Sequence, residues 1–392
     1  MKNILELRHS KLRIAVVSNT AWNLLNMRKN VILALQSDGH YVVAVAPVDE
    51  YVKGLLSAGI EFSSVPISGS GTNPAKELLS VIRLALKFRK HKVDLVLSYT
   101  PKGNLYSALA CSALSVPFVP NVSGLGRAFI SKSFITWAAQ TLYRITFNRA
   151  HRVFFQNLDD MDAFICSGLV RPEQSERLPG SGVDLRRFTS TPLVSRCADT
   201  PVFLLVARML WDKGVGEYVE AARSVQTLYP DARFQLLGYL DVDNPSAVPR
   251  AQVNTWVAEG VVEYLGATDD VRPFLMEADC VVLPSYREGV PRTLLEAAAI
   301  ARPVITTDAP GCRDTVIHGE TGFLCRPADA LDLAEKLLHF VALSPDERQA
   351  MGQRGRKFVE QNFDERMVIQ QYLDVVQAVA AENSRRDKSG ND

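Results

Sequence analysis

Short apolar runs rich in β-branched residues alternate along this chain with longer segments of helical spacing. In the first half the runs are 12–17, 41–46, 93–98, 118–121 and 152–156, and each is followed by a stretch long enough for a helix. Near-continuous apolar strands separated by helices mark βαβ units and a parallel sheet buried on both faces. The stretch 178–200 (LPGSGVDLRRFTSTPLVSRCADT) breaks this rhythm with Pro, Gly, Ser and Thr and reads as a linker. Alternation resumes at 202–206, 233–237, 280–283 and 303–307. The pattern therefore predicts two doubly wound α/β domains, 1–190 and 191–365. A closing helix at 366–383, able to cross back to the first domain, and a disordered polar tail at 384–392 complete it.

Composition agrees with two folded domains. The chain has 392 residues, 47% hydrophobic and 22% charged, enough apolar content for full cores and too much for general disorder. With 44 Lys+Arg against 43 Asp+Glu, a strongly basic nucleic-acid binder is excluded. The balance hides an asymmetry: residues 1–190 hold 23 Lys+Arg and 13 Asp+Glu, whereas 191–392 hold 21 and 30. A basic first half predicts that it faces an anionic partner.

The six cysteines (Cys111, Cys166, Cys197, Cys280, Cys312, Cys325) form no CxxC pair and no zinc spacing. Their mostly apolar neighbours predict buried, reduced thiols in a cytoplasmic protein. Charges interrupt the first 19 residues, unlike a signal peptide, and no apolar run is long enough to span a membrane.

Two segments carry most of the chemistry. In 285–303 (SYREGVPRTLLEAAAIARP) a strand is followed by a Gly289 turn and by Pro291, which suits the start of a helix. The exposed N–H groups of that helix suit a phosphate or sugar diphosphate. Glu288 precedes the helix and Glu296 lies about one and a half turns into it, two carboxylates able to accept hydrogen bonds from a polyhydroxylated ligand. In 204–214 (LLVARMLWDKG) a strand delivers Arg208 and Lys213 to its carboxyl end. A fork donor and a point cation there would neutralise a departing diphosphate. A glycine turn, Gly180-Ser181-Gly182-Val183-Asp184, marks the junction. Trp211 and Tyr286 read as packing residues.

Glu288-x7-Glu296, Arg208 with Lys213, Gly182-Val183-Asp184 and Thr321-Gly322-Phe323 together resemble family 4 of the retaining GT-B glycosyltransferases, most densely over 178–340. The resemblance implies two Rossmann-like domains facing across a cleft, the first for acceptor and the second for a nucleotide-sugar donor. It implies that Arg208 and Lys213 hold the donor diphosphate, that Glu288 contacts sugar hydroxyls, and that Glu296 contacts the ribose. Gly289, Val290, Pro291, Leu295 and Gly266 would complete the donor site.

The first half departs from the family pattern. Ser18-Asn19-Thr20-Ala21-Trp22-Asn23 stands where many members carry a glycine-rich loop. Pro120-Asn121-Val122-Ser123-Gly124 stands near the usual catalytic histidine, a place that fits none of His9, His40, His91, His151, His318 and His339. The segments SNTAWNL, NVSGLGRAF, FFQNLDD and DNPSAV are similar to a subgroup building cell-surface polysaccharides on lipid-linked intermediates. Asn19, Ser123, Gly124 and Asn157 are the acceptor-side candidates, with turn or capping roles as the alternative.

Two patterns are discounted. Gly124-x-Gly126 lacks the third glycine of a dinucleotide fingerprint. Asp241-Val242-Asp243 spells DxD, but the cations and helix terminus already supply charge compensation, so no essential metal is expected.

In the basic half, 83–92 (RLALKFRKHK) and 127–149 mix cations with apolar residues at helical spacing. Both suit an anionic membrane surface or a helix packed on the sheet, and Lys87, Arg89 and Lys90 are the membrane-facing candidates. The expected function is transfer of a hexose or N-acetylhexosamine with retention from a UDP-sugar to a glycan or polyprenyl-diphosphate-linked acceptor. It would act at the cytoplasmic face of the inner membrane. A UDP-sugar 2-epimerase and a non-catalytic nucleotide-sugar sensor are the alternatives.

Overall fold

The computed structural model describes residues 11–67, 74–124, 134–194 and 200–389. Cys197, Gly126 and the part of the second basic segment at 127–133 lie outside them. Within them, the β-branched runs become strands of two all-parallel sheets. The first contains β1 (Arg13–Val17), β2 (Tyr41–Ala46), β3 (Glu61–Ser64), β4 (Leu95–Tyr99), β5 (Phe118–Val122), β6 (Val153–Phe155) and β7 (Ser175–Arg177), in the order β3-β2-β1-β4-β5-β6-β7. The second contains β8 (Val202–Val206), β9 (Arg233–Leu237), β10 (Glu263–Tyr264), β11 (Cys280–Leu283), β12 (Val304–Thr307) and β13 (Gly322–Cys325), in the order β10-β9-β8-β11-β12-β13. In each sheet the strand order reverses between the first strand and the fourth, the point outside whose carboxyl ends ligands bind in open α/β sheets.

Alternate residues of a strand face opposite sides, so both faces of the first sheet are apolar. Ile14, Val16, Leu95 and Leu97 pack on one side with Val368, Tyr372, Val376 and Val379 of the last helix, Glu365–Ser389. Ala15, Val17, Val43, Val96 and Phe118 pack on the other with Leu84 and Phe88.

The chain divides into two units, Gly182–Glu365 and the remainder, Met1–Ser181 with Arg366–Asp392. The boundary thus falls nine residues before the expected 190/191. Val183 is the reason: it bridges in parallel to Asp364, its N–H donates to the Phe363 carbonyl at 2.9 Å, and Phe188 is buried in the second unit's core. Drawn there, the first unit holds 25 Lys+Arg against 16 Asp+Glu and the second 19 against 27, so the asymmetry follows the structural division.

Two further expectations are corrected. The last helix continues to Ser389, through most of the segment read as a disordered tail. Cys166 is exposed, unlike Cys111, Cys280, Cys312 and Cys325. Burial pushes the Cys312 and Cys325 thiols up to about 12, which leaves them protonated and unreactive. Strands β3, β7, β10 and β13 were not anticipated; the first three are short, half-exposed and carry polar residues (EFSS, SER, EY).

Candidate active site at the carboxyl ends of the second sheet

β8 and β11 are neighbours at the reversal point, so the loops that follow them meet. After β8 the chain makes a short 3-10 turn, Trp211–Lys213, closed by Gly214 in a left-handed conformation at φ 71°. A Cβ at Gly214 would collide with the Pro284 carbonyl just past β11, so only glycine lets the loops touch. The Ser285 hydroxyl then donates to the Asp212 carbonyl at 3.1 Å, and the Tyr286 N–H to the same carbonyl at 3.0 Å. From the other side, the Glu288 N–H donates to the Pro310 carbonyl at 3.1 Å and the Thr307 hydroxyl donates to the Ser285 carbonyl. Glu288 is therefore held by loops from three consecutive strands of the sheet.

On this scaffold Lys213 forms an ion pair with Glu288, which also accepts from the Ser285 hydroxyl at 2.9 Å. The expected phosphate ligand and the expected sugar ligand are thus partnered with each other. Arg208 is exposed and makes no ion pair or side-chain hydrogen bond among the described residues. Deeper in, Glu296 lies one turn beyond Arg292 on the helix Arg292–Ala299 and pairs with it at 2.8 Å. Burial raises the Glu296 carboxyl above its ordinary value, with Arg292 and Arg187 opposing. Arg187 approaches Asp270 at 3.9 Å, and the Arg272 guanidinium holds the Asp270 carboxyl down at about 2.

Pro291 occupies the position just before that helix, which has no side-chain cap. Gly289 is buried, and the side chains of Val290 and Leu295 belong to the apolar core, so these residues present backbone rather than side chain to a ligand. Gly266, at φ 83° with open space beside it, accepts the Gly238 N–H at 2.7 Å and ties the loop after β10 to the loop after β9. Trp211 meets Trp256 edge-to-face at 5.9 Å, and the Tyr286 hydroxyl donates to Glu217 at 2.6 Å. Asp241 of the DxD pairs with Arg250. Among the described residues no group of three or more His, Cys, Asp or Glu is arranged to hold a metal ion.

The first unit places its candidates differently. Asn157 is fully buried and caps the helix Leu158–Cys166 by accepting the Asp160 N–H at 2.8 Å; of the two roles open to it, the structure supplies the cap. Asn19 follows β1, while Ser123 and Gly124 (φ 114°) follow β5, all at carboxyl ends of strands. Sequence reasoning missed Asp49, whose Oδ2 accepts the Ala21 and Trp22 N–H groups at 2.8 and 3.1 Å and so occupies the helix start after β1. It also missed Arg292, one turn before Glu296 on the same helix, and Arg187 and Asp270, whose approach joins loops far apart in sequence. On the helix Pro74–Lys90, Arg89 and Lys90 are exposed and Lys87 half-buried. Leu84 and Phe88 face the core, whereas Leu78 (61% exposed), Leu79, Ile82 and Leu86 (58%) face outward.

A model of the glycosyl transferases group 1 family matches residues 200–342, and one of the glycosyl transferase 4-like domain matches 28–181. The chain is 28% identical over 379 residues to the N,N'-diacetylbacillosaminyl-diphospho-undecaprenol alpha-1,3-N-acetylgalactosaminyltransferase of Campylobacter jejuni, covering 92% of this chain and 97% of that one. It is 24% identical over 311 residues to the capsular polysaccharide biosynthesis glycosyltransferase CapM of Staphylococcus aureus, covering 74% and 78%. Among solved structures, Anabaena Alr3699/HepE in complex with UDP-glucose superposes with a TM-score of 0.75 at 19% identity, covering 94% of this chain and 100% of that one. The fold is that of the GT-B glycosyltransferases.

Proposed function

We propose a donor, an acceptor and a chemistry for this chain, which belongs to the glycosyl transferases group 1 family and is a glycosyltransferase. It moves a hexose or N-acetylhexosamine from a UDP-sugar to a polyprenyl-diphosphate-linked glycan, with the anomeric configuration retained. The carrying observation is the Lys213–Glu288 pair beside Arg208 at the reversal point of the second sheet. The diphospho-undecaprenol acceptor in the Campylobacter relative's name and the UDP-glucose held by the Anabaena protein support the two substrates.

An arriving donor diphosphate competes with Glu288 for Lys213. The ammonium turns to the phosphate, Arg208 adds a second cation, and the freed carboxylate accepts a hydrogen bond from a sugar hydroxyl. Negative charge growing on the leaving phosphate is neutralised where it develops, without a metal. Substitution on the sugar face that the diphosphate leaves, assisted by that phosphate, accounts for retention. Glu296, braced by Arg292, is the ribose contact.

Membrane attachment is peripheral, at the cytoplasmic face. No helix among the described residues is long and apolar enough to cross a bilayer. The stripe Leu78, Ile82 and Leu86 beside Arg83, Lys87, Arg89 and Lys90 suits an anionic surface, at about 1 kcal/mol per basic residue. Charge reversal at Lys87, Arg89 and Lys90 then weakens binding to anionic vesicles, most at low salt; unchanged binding removes the membrane assignment.

The transfer test incubates the protein with UDP-sugars and an undecaprenyl-diphosphate glycan, with and without EDTA. Product in both is expected. Loss in EDTA restored by Mn²⁺ overturns the metal-free chemistry, and conversion of UDP-sugar without acceptor overturns the transfer reading.

A further inference from the structure

Three arginines are buried among the described residues, and two are tied to carbonyls. Arg302, 1% exposed, donates to the carbonyls of Met276, Thr191, Ile300 and Pro192 at 2.7 to 3.1 Å. Arg348 donates to Phe340 and Val341 at 3.2 and 2.6 Å. Arg28, 3% exposed, is different. Its Nε and Nη1 are buried without a hydrogen-bond partner, and no carboxylate among the described residues pairs with it. Its guanidinium lies 4.2 Å from the ring centre of Tyr99, which ends β4. Burial pushes the Tyr99 and Tyr372 phenols up and keeps them neutral, so neither supplies the missing negative charge. A buried cation without acceptors is costly, and folds rarely keep one without compensation.

Two further irregularities adjoin it. Thr100, directly after Tyr99, sits at φ 67° and ψ 150°, a region that is essentially glycine's and strained for a β-branched side chain. Its hydroxyl is buried without a partner and gives no cap to the helix Pro101–Leu114. Arg28 itself closes a π-helical turn, Leu24–Arg28, an irregularity frequent at functional sites. All three lie at the carboxyl side of β1 and β4, the reversal point of the first sheet. Asp49 already fills the helix start after β1, whereas the helix start after β4 has no such carboxylate among its side-chain partners.

We propose that Arg28 and the uncapped helix start at Thr100 form an anion site that receives the diphosphate of the lipid-linked acceptor. The proposal rests on the acceptor class given above. The guanidinium fork matches phosphate oxygens, helix N–H groups add donors, and the ligand supplies the counter-charge that the fold omits.

The test uses the full chain and inorganic pyrophosphate, with UDP at saturation so that the donor site is filled. Pyrophosphate raises the wild-type Tm. In Arg28→Met that rise disappears while the ligand-free Tm stays at or above wild type, because an uncompensated charge has been removed; Arg302→Met, the carbonyl-bound control, lowers Tm. In Arg28→Met, kcat/KM for the acceptor falls about 10- to 100-fold while KM for the UDP-sugar holds, and Arg28→Lys recovers part of the loss. A wild-type protein that pyrophosphate does not stabilise, a rise that persists in Arg28→Met, or a Tm loss there matching Arg302→Met overturns the site. Wild-type sugar transfer from UDP-sugar to the undecaprenyl-diphosphate glycan tests the parent reading separately: its absence defeats that reading, and the pyrophosphate arm still decides on Arg28.

Discussion

The two sheets share one strand order and differ in how their reversal points handle charge. In the second unit almost every charge near the strand ends is paired locally: Lys213 with Glu288, Arg292 with Glu296, Arg272 with Asp270. In the first unit an aspartate plugs the helix start after β1, and the arginine beside β4 is buried without a counter-ion. Paired charges hold a site ready at low cost and exchange partners when ligand arrives. An unpaired one is satisfied only by the ligand.

The largest test of this contrast is Lys213→Ala. If its pair with Glu288 is a resting state for a diphosphate site, turnover falls about 10²- to 10³-fold while the folded protein melts near the wild-type temperature. Near-normal turnover would reduce the pair to surface electrostatics. Next comes Gly214→Ala, which forces a side chain into the Pro284 carbonyl and a left-handed turn. Unfolding free energy, measured in urea, drops by about 2 kcal/mol or more, and a drop below ~0.5 kcal/mol would show that the loops adapt. Asp49→Ala costs less, about 1 kcal/mol as for the loss of a helix cap, and frees the amides after β1. If pyrophosphate then protects the variant through those amides even with Arg28→Met, the two helix starts of the first unit are equivalent and the contrast within it fails.

The smallest effects are in pH dependence. Glu296 binds its proton more tightly folded than unfolded, so its contribution to stability declines as pH rises from the ordinary value of 4.5 through its raised value. Asp270 works in the opposite sense: held at about 2, it stabilises above its ordinary 3.8 and loses that effect as pH falls toward 2. Glu296→Gln should flatten the decline on the rising side, and Asp270→Asn the acid loss. Urea midpoints across pH 2 to 7 check both, and parallel wild-type and variant curves would remove the assignment.

Legibility followed locality. Arg208 with Lys213, and Glu288 with Glu296, each fall within one strand–loop–helix segment, so strand and helix signals alone placed them. Long apolar strands such as 202–206 were readable for the same reason. The edge strands β3, β7 and β10 were not, because a half-exposed edge carries polar residues such as Glu61, Ser175 and Glu263 and shows no continuous apolar run. The Asp49 plug spans 28 residues, and the Arg187–Asp270 approach joins loops before β8 and after β10, which no local pattern encodes. Arg28 was least legible. In AWNLLNMRKN a helical pattern predicts exposed cations, and only the π turn and the packing around Tyr99 bury this one.

The crossing at Val183 and Asp364 has a consequence for synthesis. The second unit is an insertion within the first, entered at Gly182 and left at Glu365. The first unit's core includes Val368, Tyr372, Val376 and Val379, which leave the ribosome only after the insertion is complete. Ile32, Leu35 and Leu55 already pack on that face, but at translation rates of ~5–20 residues/s the part covered by the last helix waits roughly 10–40 s. The nascent chain therefore finishes folding in the reverse of its spatial bookends: the inserted unit closes first, and the first unit closes last.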